Sequence, residues 1–358
     1  MHLPFIINNS EGSGQPATQY LCGFSGSDST LVLLDYLVIL NDSEGSHKML
    51  RQAQHDNRVS GYLLLDGRYW EQAESEVKSS KLQAASKVEI IKIHKDYTQK
   101  QAIEEIIGNH KLKEIHLDSR ITSYATVQSL EKFGLKVIGE DGVMQKMREF
   151  KCADEIKKIK KAQKIALAAF EKLKTEIVIG ATERSLAAKL EYLMKLEGAD
   201  SASFETIVAS GPNSAFPHAT VTDRKIKSTD AVIIDFGARV DGYCSDFTRT
   251  ILMPKAPAKL KEIYSVVEKA QQAAIKKAIT GMPLKDIDHA ARQVIEKAGY
   301  GQYFTHSTGH GVGMEVHELP HVSYRSTAVL QKGHIITIEP GIYIPGVGGV
   351  RLEEMIIT

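Results

Sequence analysis

The chain has 358 residues, long for one domain, so two domains are the natural expectation. Its apolar content of 42% and charged content of 25% are those of an ordinary globular protein. With 45 basic and 44 acidic side chains the net charge is +1, so no global field draws it to nucleic acid or to a membrane surface.

Residues Met1–Gly14 are polar, include Gly and Ser, and lack an apolar segment of signal-peptide length. No apolar run approaches the ~20 residues that span a bilayer. Cys22, Cys152 and Cys244 are far apart and form no C-x-x-C, which fits a reducing compartment and argues against a disulfide framework or a zinc ribbon. A cytoplasmic protein is expected.

From about residue 19 to 150 strand-like and helix-like stretches alternate. Leu31–Leu34, Tyr36–Leu40, Tyr62–Leu65, Val88–Ile93, Glu114–Leu117 and Lys136–Ile138 read as strands. Tyr69–Ser80, Gln99–Gly108 and Ser123–Phe133 read as helices, which together make a small α/β domain. Asn41–Ser60 is polar and aperiodic, a long loop or an insertion. Asp154 opens an amphipathic helix in which Ile156, Ile159, Gln163, Ala166, Phe170 and Leu173 recur at three and four. Lys157, Lys158, Lys160 and Lys161 are its wet face. The second domain starts here, with a boundary near residue 150. Further helices are expected at Ser185–Glu197, at about Leu260–Ile279 and at Leu284–Ala298, the last with Pro283 at its start and Gly299 just past its end.

Two look-alike pieces of sequence carry the chemistry. Asp235 and Asp246 lie in V-I-I-D-F-G-A-R-V-D-G-Y-C-S-D-F-T-R-T, and Glu339 and Glu353 in I-I-T-I-E-P-G-I-Y-I-P-G-V-G-G-V-R-L-E-E-M. Each reads as a β-hairpin with one acid on each strand, the first turning at Asp241–Gly242 and the second through Gly346–Gly349. On the last strand Arg351 and Glu353 are two apart and share a face, with Leu352 and Glu354 on the other. Between the hairpins, T-G-H-G-V-G-M-E-V-H-E supplies His310 and His317, and its glycines allow backbone to approach a ligand closely. The second domain thus reads as an approximate internal duplication, two halves closing on one site.

Any one of these acids alone is equally well a surface residue at a strand end. All four together are not. Two like charges ~4 Å apart repel by about 4 kcal/mol at an effective dielectric near 20, and converging acids therefore call for cations. Four acids and one histidine form a ligand set for two divalent ions, and oxygen-rich ligation with a single histidine suits manganese, with cobalt or zinc as alternatives.

These motifs resemble the pita-bread (creatinase/aminopeptidase) metallopeptidase family over about 150–358, through D-F-G-A, D-F-T-R-T, G-H-G-V-G-M-E-V-H-E, I-E-P-G-I-Y and R-L-E. Y-L-C-G-F-S-G-S and L-L-D-G-R-Y-W-E-Q-A resemble the N-terminal domain of its Xaa-Pro-cleaving members. The resemblance implies an α/β creatinase-like N-terminal domain (1–150) followed by an α+β pita-bread catalytic domain (151–358) with internal pseudo-two-fold duplication. It implies that Asp246 and Glu353 bridge two metals, that Asp235 completes one, and that His310 and Glu339 complete the other. Glu339 would shuttle a proton, His218 and His317 would hold the carbonyl and the tetrahedral intermediate, and Arg351 and Tyr343 would wall the proline side. His321 and His334 read as ordinary structural or surface histidines.

The implied activity is metal-dependent hydrolysis of the bond between an N-terminal residue and a following proline. The compact first domain favours an Xaa-Pro aminopeptidase (aminopeptidase P), with prolidase, an Xaa-Pro dipeptidase, as the alternative. A non-catalytic peptide-binding module on the same fold is a third reading, disfavoured because all five ligands are kept. Methionine aminopeptidase needs no such N-terminal domain, and metal-free creatinase-type hydrolysis does not require the ligands. The expected partners are a peptide with proline second and a second copy in a homodimer. Two departures from the family are noted. The stretch Leu34–Ser60 does not follow the pattern of the N-terminal domain and the first helix and strand before Tyr20 look shortened or absent, and the chain stops five residues past Glu353, which suggests C-terminal truncation.

Overall fold

The computed structural model describes residues 2–9, 15–22, 25, 29–37, 61–79 and 88–358. It divides into two compact units, 1–147 and 148–358. Among the described residues no helix is long and apolar enough to cross a membrane.

The first unit is built on a six-stranded sheet in the order β4-β3-β2-β1-β5-β6. Its strands are β1 (His2–Asn9), β2 (Ser29–Leu37), β3 (Gly61–Asp66), β4 (Val88–Ile93), β5 (Glu114–Asp118) and β6 (Lys136–Glu140). β2 runs antiparallel to both neighbours, while β1–β5, β3–β4 and β5–β6 are parallel. Helices α1 (Gln15–Cys22), α2 (Trp70–Ser79), α3 (Gln99–His110) and α4 (Tyr124–Glu131) accompany the strands, and a short α5 (Val143–Arg148) ends the unit's chain. Ile6, Val32, Leu64, Ala102, Ile106, Leu117 and Leu130 form one core.

β1 precedes Tyr20 and α1 contains it, so a strand and a helix are present where the sequence suggested a shortened or absent start. β1 is a central strand whose Phe5, Ile6 and Ile7 are all buried, so it lacks the alternation that marks a half-exposed strand. Three apolar residues among Asn and Ser do not announce themselves. The expected strand Tyr36–Leu40 is partly the end of β2; residues 38–40 and the segment Asn41–Ser60 lie outside the described residues.

The second unit begins its helices with α6 (Ala153–Leu173) and α7 (Glu183–Leu196). Glu155 accepts the Cys152 main-chain N–H at 2.8 Å, which ties off the start of α6. Then come β7 (Ser201–Ala202), β8 (Ile207–Ser210), β9 (Ala231–Phe236), β10 (Ala238–Val240), β11 (Tyr243–Cys244) and β12 (Phe247–Leu252). A second helix pair, α8 (Ala258–Lys277) and α9 (Leu284–Lys297), precedes β13 (Gly309–Gly311), β14 (Glu318–Val322), β15 (Ile335–Ile338), β16 (Gly341–Ile344), β17 (Gly348–Arg351) and β18 (Glu354–Ile357). Two helices and then a group of strands thus occur twice. Leu260, Ile263 and Val267 of α8 and Ile287, Ala291 and Ile295 of α9 pack against Ile336, Ile338, Ile342 and Val350. This core gives the strands behind the site a rigid backing.

Candidate active site

Both acid-bearing hairpins form, and each has a ladder that is broken beside its acids. In the first, β9 pairs with β12, with Asp235 opposite Thr248. The tip continues as a separate ladder, β10 with β11, and turns at Asp241 (φ +50°) and Gly242 (φ +82°), the pair of positive angles that a tight two-residue hairpin turn demands. Asp246 lies in the gap between β11 and β12, so the two acids are staggered rather than directly opposite. In the second hairpin, β15 pairs with β18 and the tip with its own ladder, β16 with β17. Glu339 and Glu353 occupy the gaps. Because Ile338 faces Glu354, these two acids fall across from each other at the break. A side chain at a break can leave the sheet's alternating directions; Asp246, Glu339 and Glu353 stand at breaks, Asp235 stands one residue before the end of β9, and all four line one pocket.

That pocket has a volume of about 590 Å³ and is lined by Asp235, Asp246, His310, Glu339 and Glu353 together with His218, His306, His317, His321 and Arg351. Phe204, Ile207, Pro217 and Val221 supply an apolar part of its wall. Donor atoms of Asp246, His310 and Glu353 all lie within 4.8 Å of one another. His310 Nε2 is 3.6 Å from Asp246 Oδ2 and 3.2 Å from Glu339 Oε1. Its Nδ1 is 3.0 Å from the Gly311 carbonyl, a partner that assigns the N–H to Nδ1 and turns Nε2 to the acids.

Arg351 is the hub of the wall. It donates to Asp235 Oδ2 at 2.6 Å, Thr248 Oγ1 at 3.0 Å, Tyr343 Oη at 2.9 Å and the Pro217 carbonyl at 2.9 Å. Thr248 passes its own proton to Glu353 Oε2 at 2.8 Å. Arg351 and Glu353 thus meet the same hydroxyl, as their shared face requires, while Leu352 enters the core and Glu354 pairs with Arg249 at 2.6 Å. Tyr343 is buried and does not line the pocket; its hydroxyl also meets His306 Nε2 at 3.0 Å.

The electrostatics point to missing positive charge. Burial, then the neighbouring charge of Glu353, holds the Asp246 carboxyl well above the usual carboxylate range. Burial, then the charges of Glu339 and Asp235, does the same to Glu353. Asp235 is raised by burial even with Arg351 opposing the shift. Glu339 is the exception: burial pushes it up, but the hydrogen bond and charge of His310 outweigh that and bring it to about 2. His310 is raised correspondingly, Glu339 overcoming its burial. Asp235 Oδ1 and Glu353 Oε1 are buried without any hydrogen-bond partner. Buried carboxylate oxygens are rarely left so, and a divalent cation fits this oxygen-rich donor set with its single imidazole.

The remaining histidines divide. His317 lies against His310, ring centroids 4.4 Å apart and planes at 75°, and burial lowers its pKa. His218 lines the pocket from an exposed loop. His321 also reaches the lining, although its sequence context suggested only a surface residue. His334 is buried, with Nε2 3.3 Å from Glu149 and its ring against Phe150, away from the pocket. The glycines around His310 serve packing between strands. A Cβ on Gly309 would overlap the Thr337 carbonyl oxygen, and one on Gly311 the Leu319 carbonyl oxygen. Sequence reasoning passed over Thr248 and His306. Thr248 was findable, since it is two residues from Asp246 on an outgoing strand; a lone histidine four residues before His310 offers no comparable signal.

Comparison with known proteins identifies the family. Residues 157–358 match metallopeptidase family M24. The Xaa-Pro dipeptidase of Pyrococcus furiosus is 41% identical over 299 residues, which cover 83% of this chain and 84% of that protein. Among solved structures, the X-Pro aminopeptidase of Thermotoga maritima superposes with a TM-score of 0.84 at 34% identity, covering 99% of this chain and 92% of the other. The prolidase of Pyrococcus furiosus gives 0.82 at 35% identity, with coverage of 99% and 93%. The duplicated α+β fold is the pita-bread fold, and the chain belongs to metallopeptidase family M24.

Proposed function

We propose that this metallopeptidase is an Xaa-Pro dipeptidase, cleaving the bond before proline in a dipeptide. The observation that carries the hydrolytic reading is the convergence of Asp246, His310, Glu339 and Glu353 on one pocket, with buried carboxylate oxygens lacking partners. The preference for dipeptides over longer peptides reverses the leaning drawn from the compact first domain. It rests on the names of relatives at 41% and 42% identity, both Xaa-Pro dipeptidases, although one solved relative is an X-Pro aminopeptidase. The proposed organisation is a creatinase-like domain over 1–150 and a dinuclear domain over 151–358, acting as a homodimer.

In this reading Asp235, Asp246, His310, Glu339 and Glu353 hold two divalent ions, manganese foremost. Such ions polarise a carbonyl and make an attacking water acidic. Glu339 sits beside His310 and is the candidate to carry a proton to the departing proline nitrogen. His218 and His317 line the pocket where donors would hold the carbonyl oxygen as charge develops on it. Arg351 spends its hydrogen bonds on Asp235, Thr248, Tyr343 and Pro217, so its part is to fix the wall on the proline side rather than to grip substrate freely.

The test is hydrolysis of an Xaa-Pro dipeptide beside an Xaa-Pro-Xaa tripeptide, with and without added manganese. The dipeptide alone should be cleaved, and only with metal. Cleavage of the tripeptide alone moves the assignment to aminopeptidase, and cleavage of neither by metal-loaded protein removes the Xaa-Pro reading.

A further inference from the structure

Among the carboxylates buried in the second unit outside the acid cluster, the three least exposed are Glu183 and Asp288 at 0% and Glu318 at 2%. A buried carboxylate is tolerated only when donors surround it. Each is so surrounded, and the donors belong to histidine-bearing segments. Glu183 Oε1 accepts the Ser210 main-chain N–H and hydroxyl, both at 2.7 Å. Its Oε2 accepts from Asn213 Nδ2 at 2.9 Å, the Thr222 N–H at 3.0 Å and the Thr222 hydroxyl at 2.6 Å. Ser210 and Thr222 are the two ends of the loop that carries His218. Glu318 takes Lys151 Nζ at 2.9 Å and the Glu315 N–H at 3.1 Å, and Gly313 packs against its carboxylate. It thereby ties down the loop that carries His317, the residue just before it. Asp288 accepts the Thr308 N–H at 3.1 Å and hydroxyl at 2.8 Å, and its partner Arg292 donates to the carbonyls of Phe304 and His306.

We propose that Glu183 and Glu318 are positioning residues that set where His218 and His317 stand in the pocket, and that Asp288 does the same for His306. The inference rests on the reading above that His218 and His317 meet substrate. Among the described residues, neither the His218 nor the His317 ring has a hydrogen bond. The His317 ring packs edge-on against the His310 ring, and His218 stands on an exposed loop. Their places are therefore set by the main chain of their loops, and the buried carboxylates set those main chains. Replacing Glu183 with Gln is a sharp perturbation. Whichever way the amide is turned, its NH₂ faces a main-chain N–H, that of Ser210 or that of Thr222. Asp288 is a poorer test case because Thr308 is two residues from His310 and its carbonyl accepts the Glu339 N–H at 2.7 Å.

The experiment combines Glu183→Gln and Glu318→Gln, each in turn, with His218→Ala and with His317→Ala in the manganese-loaded full chain. It reads kcat/KM on an Xaa-Pro dipeptide, and the imidazole ¹H–¹⁵N signals of the metal-free full chain. Glu183→Gln should lower kcat/KM by about tenfold or more, the scale on which small misplacement acts. In the His218→Ala background that loss should shrink to less than about twofold, and in the His317→Ala background it should persist in full. Glu318→Gln should show the opposite pattern. Glu183→Gln should shift the His218 ring signals and leave those of His317. Equal losses in both histidine backgrounds, or unmoved ring signals, overturn the proposal. A wild-type protein that cleaves nothing overturns the peptidase reading instead, and the ring signals still decide the positioning role. Should the single variants fail to fold, Thr222→Val removes one donor to Glu183, and Lys151→Met with Glu318→Gln removes the Lys151–Glu318 ion pair of the second anchor while Arg148 stays beside it. The same selective pattern is expected of each.

Discussion

Arg351 shows how one side chain can be more consequential than any of the acids it serves. Its planar fork reaches Asp235, Thr248, Tyr343 and a main-chain carbonyl at once, and burial leaves Thr248 and Tyr343 no substitute in water. Arg351→Met should destabilise the metal-depleted protein by about 3 kcal/mol, the usual result of removing one partner of a buried pair. Arg351→Lys should recover little, since a point ammonium cannot span four directions. Urea unfolding of the three proteins checks this; a lysine variant as stable as wild type would show that charge alone suffices. Asp246 has a different task. It has few polar contacts beyond its cluster, and its proximity to His310 and Glu353 is its main feature. Asp246→Ala should lose bound metal and activity together, by a hundredfold or more in keeping with the ~10²-fold scale of lost active-site electrostatics. Metal analysis beside the dipeptide assay measures both. Retained peptide affinity with activity already absent in wild type would favour a binding module.

At the scale of elements, the two hairpins act because they are interrupted. An uninterrupted ladder would alternate its side chains across two faces; the breaks between β11 and β12, β15 and β16, and β17 and β18 let Asp246, Glu339 and Glu353 turn to the pocket that Asp235 reaches from within β9. Glycine permits the tight approach of the strands behind them. Gly309→Ala would drive a Cβ into the Thr337 carbonyl oxygen and should cost about 3 kcal/mol or more, at the upper end for overpacking a fixed backbone. Gly108 in α3 has no atom within 4 Å of the corresponding position, and Gly108→Ala should stabilise by roughly 0.5–1 kcal/mol. Thermal and urea unfolding should separate the two in sign, and a neutral Gly309→Ala would mean that β13 and β15 can move apart freely. The hairpins were legible from apolar runs on either side of D-G and G-V-G-G turns. The helix pairs were legible from their three-and-four spacing. What sequence did not disclose has a physical cause in each case. The ladder breaks leave no compositional mark, β1 is buried on both faces and so does not alternate, and Glu183, Asp288 and Glu318 look like any helix or strand carboxylate until their donors arrive from distant loops.

For the molecule as a whole, the acid cluster makes stability depend on pH and on cations jointly. Without metal, Asp246 and Glu353 hold their protons in the folded chain at a pH where the unfolded chain has lost them. The folded state then binds more protons, so its stability falls as pH rises through the ordinary carboxylate range and on toward the raised folded values. His310 adds to the fall. Its folded value lies above the ordinary one, so its contribution is complete at low pH and is lost as pH rises through that folded value. Glu339 does not oppose this between pH 5 and 7.5, because a carboxyl at about 2 when folded is ionised in both states across that window. A divalent ion replaces those protons and needs every ligand unprotonated, so its stabilising effect should grow over the same range. At metal near 100 times its dissociation constant the gain is about 2.7 kcal/mol. For a 358-residue chain at about 2.1 cal/mol/K per residue that corresponds to roughly 4 °C in Tm. Calorimetric scans at pH 5.0 and 7.5, with chelator and with manganese, should therefore show a chelated protein that melts lower at pH 7.5 and a metal-induced increment that is larger there. An increment independent of pH, or a chelated protein that gains stability on raising the pH, would mean that the four acids are not held together by cations.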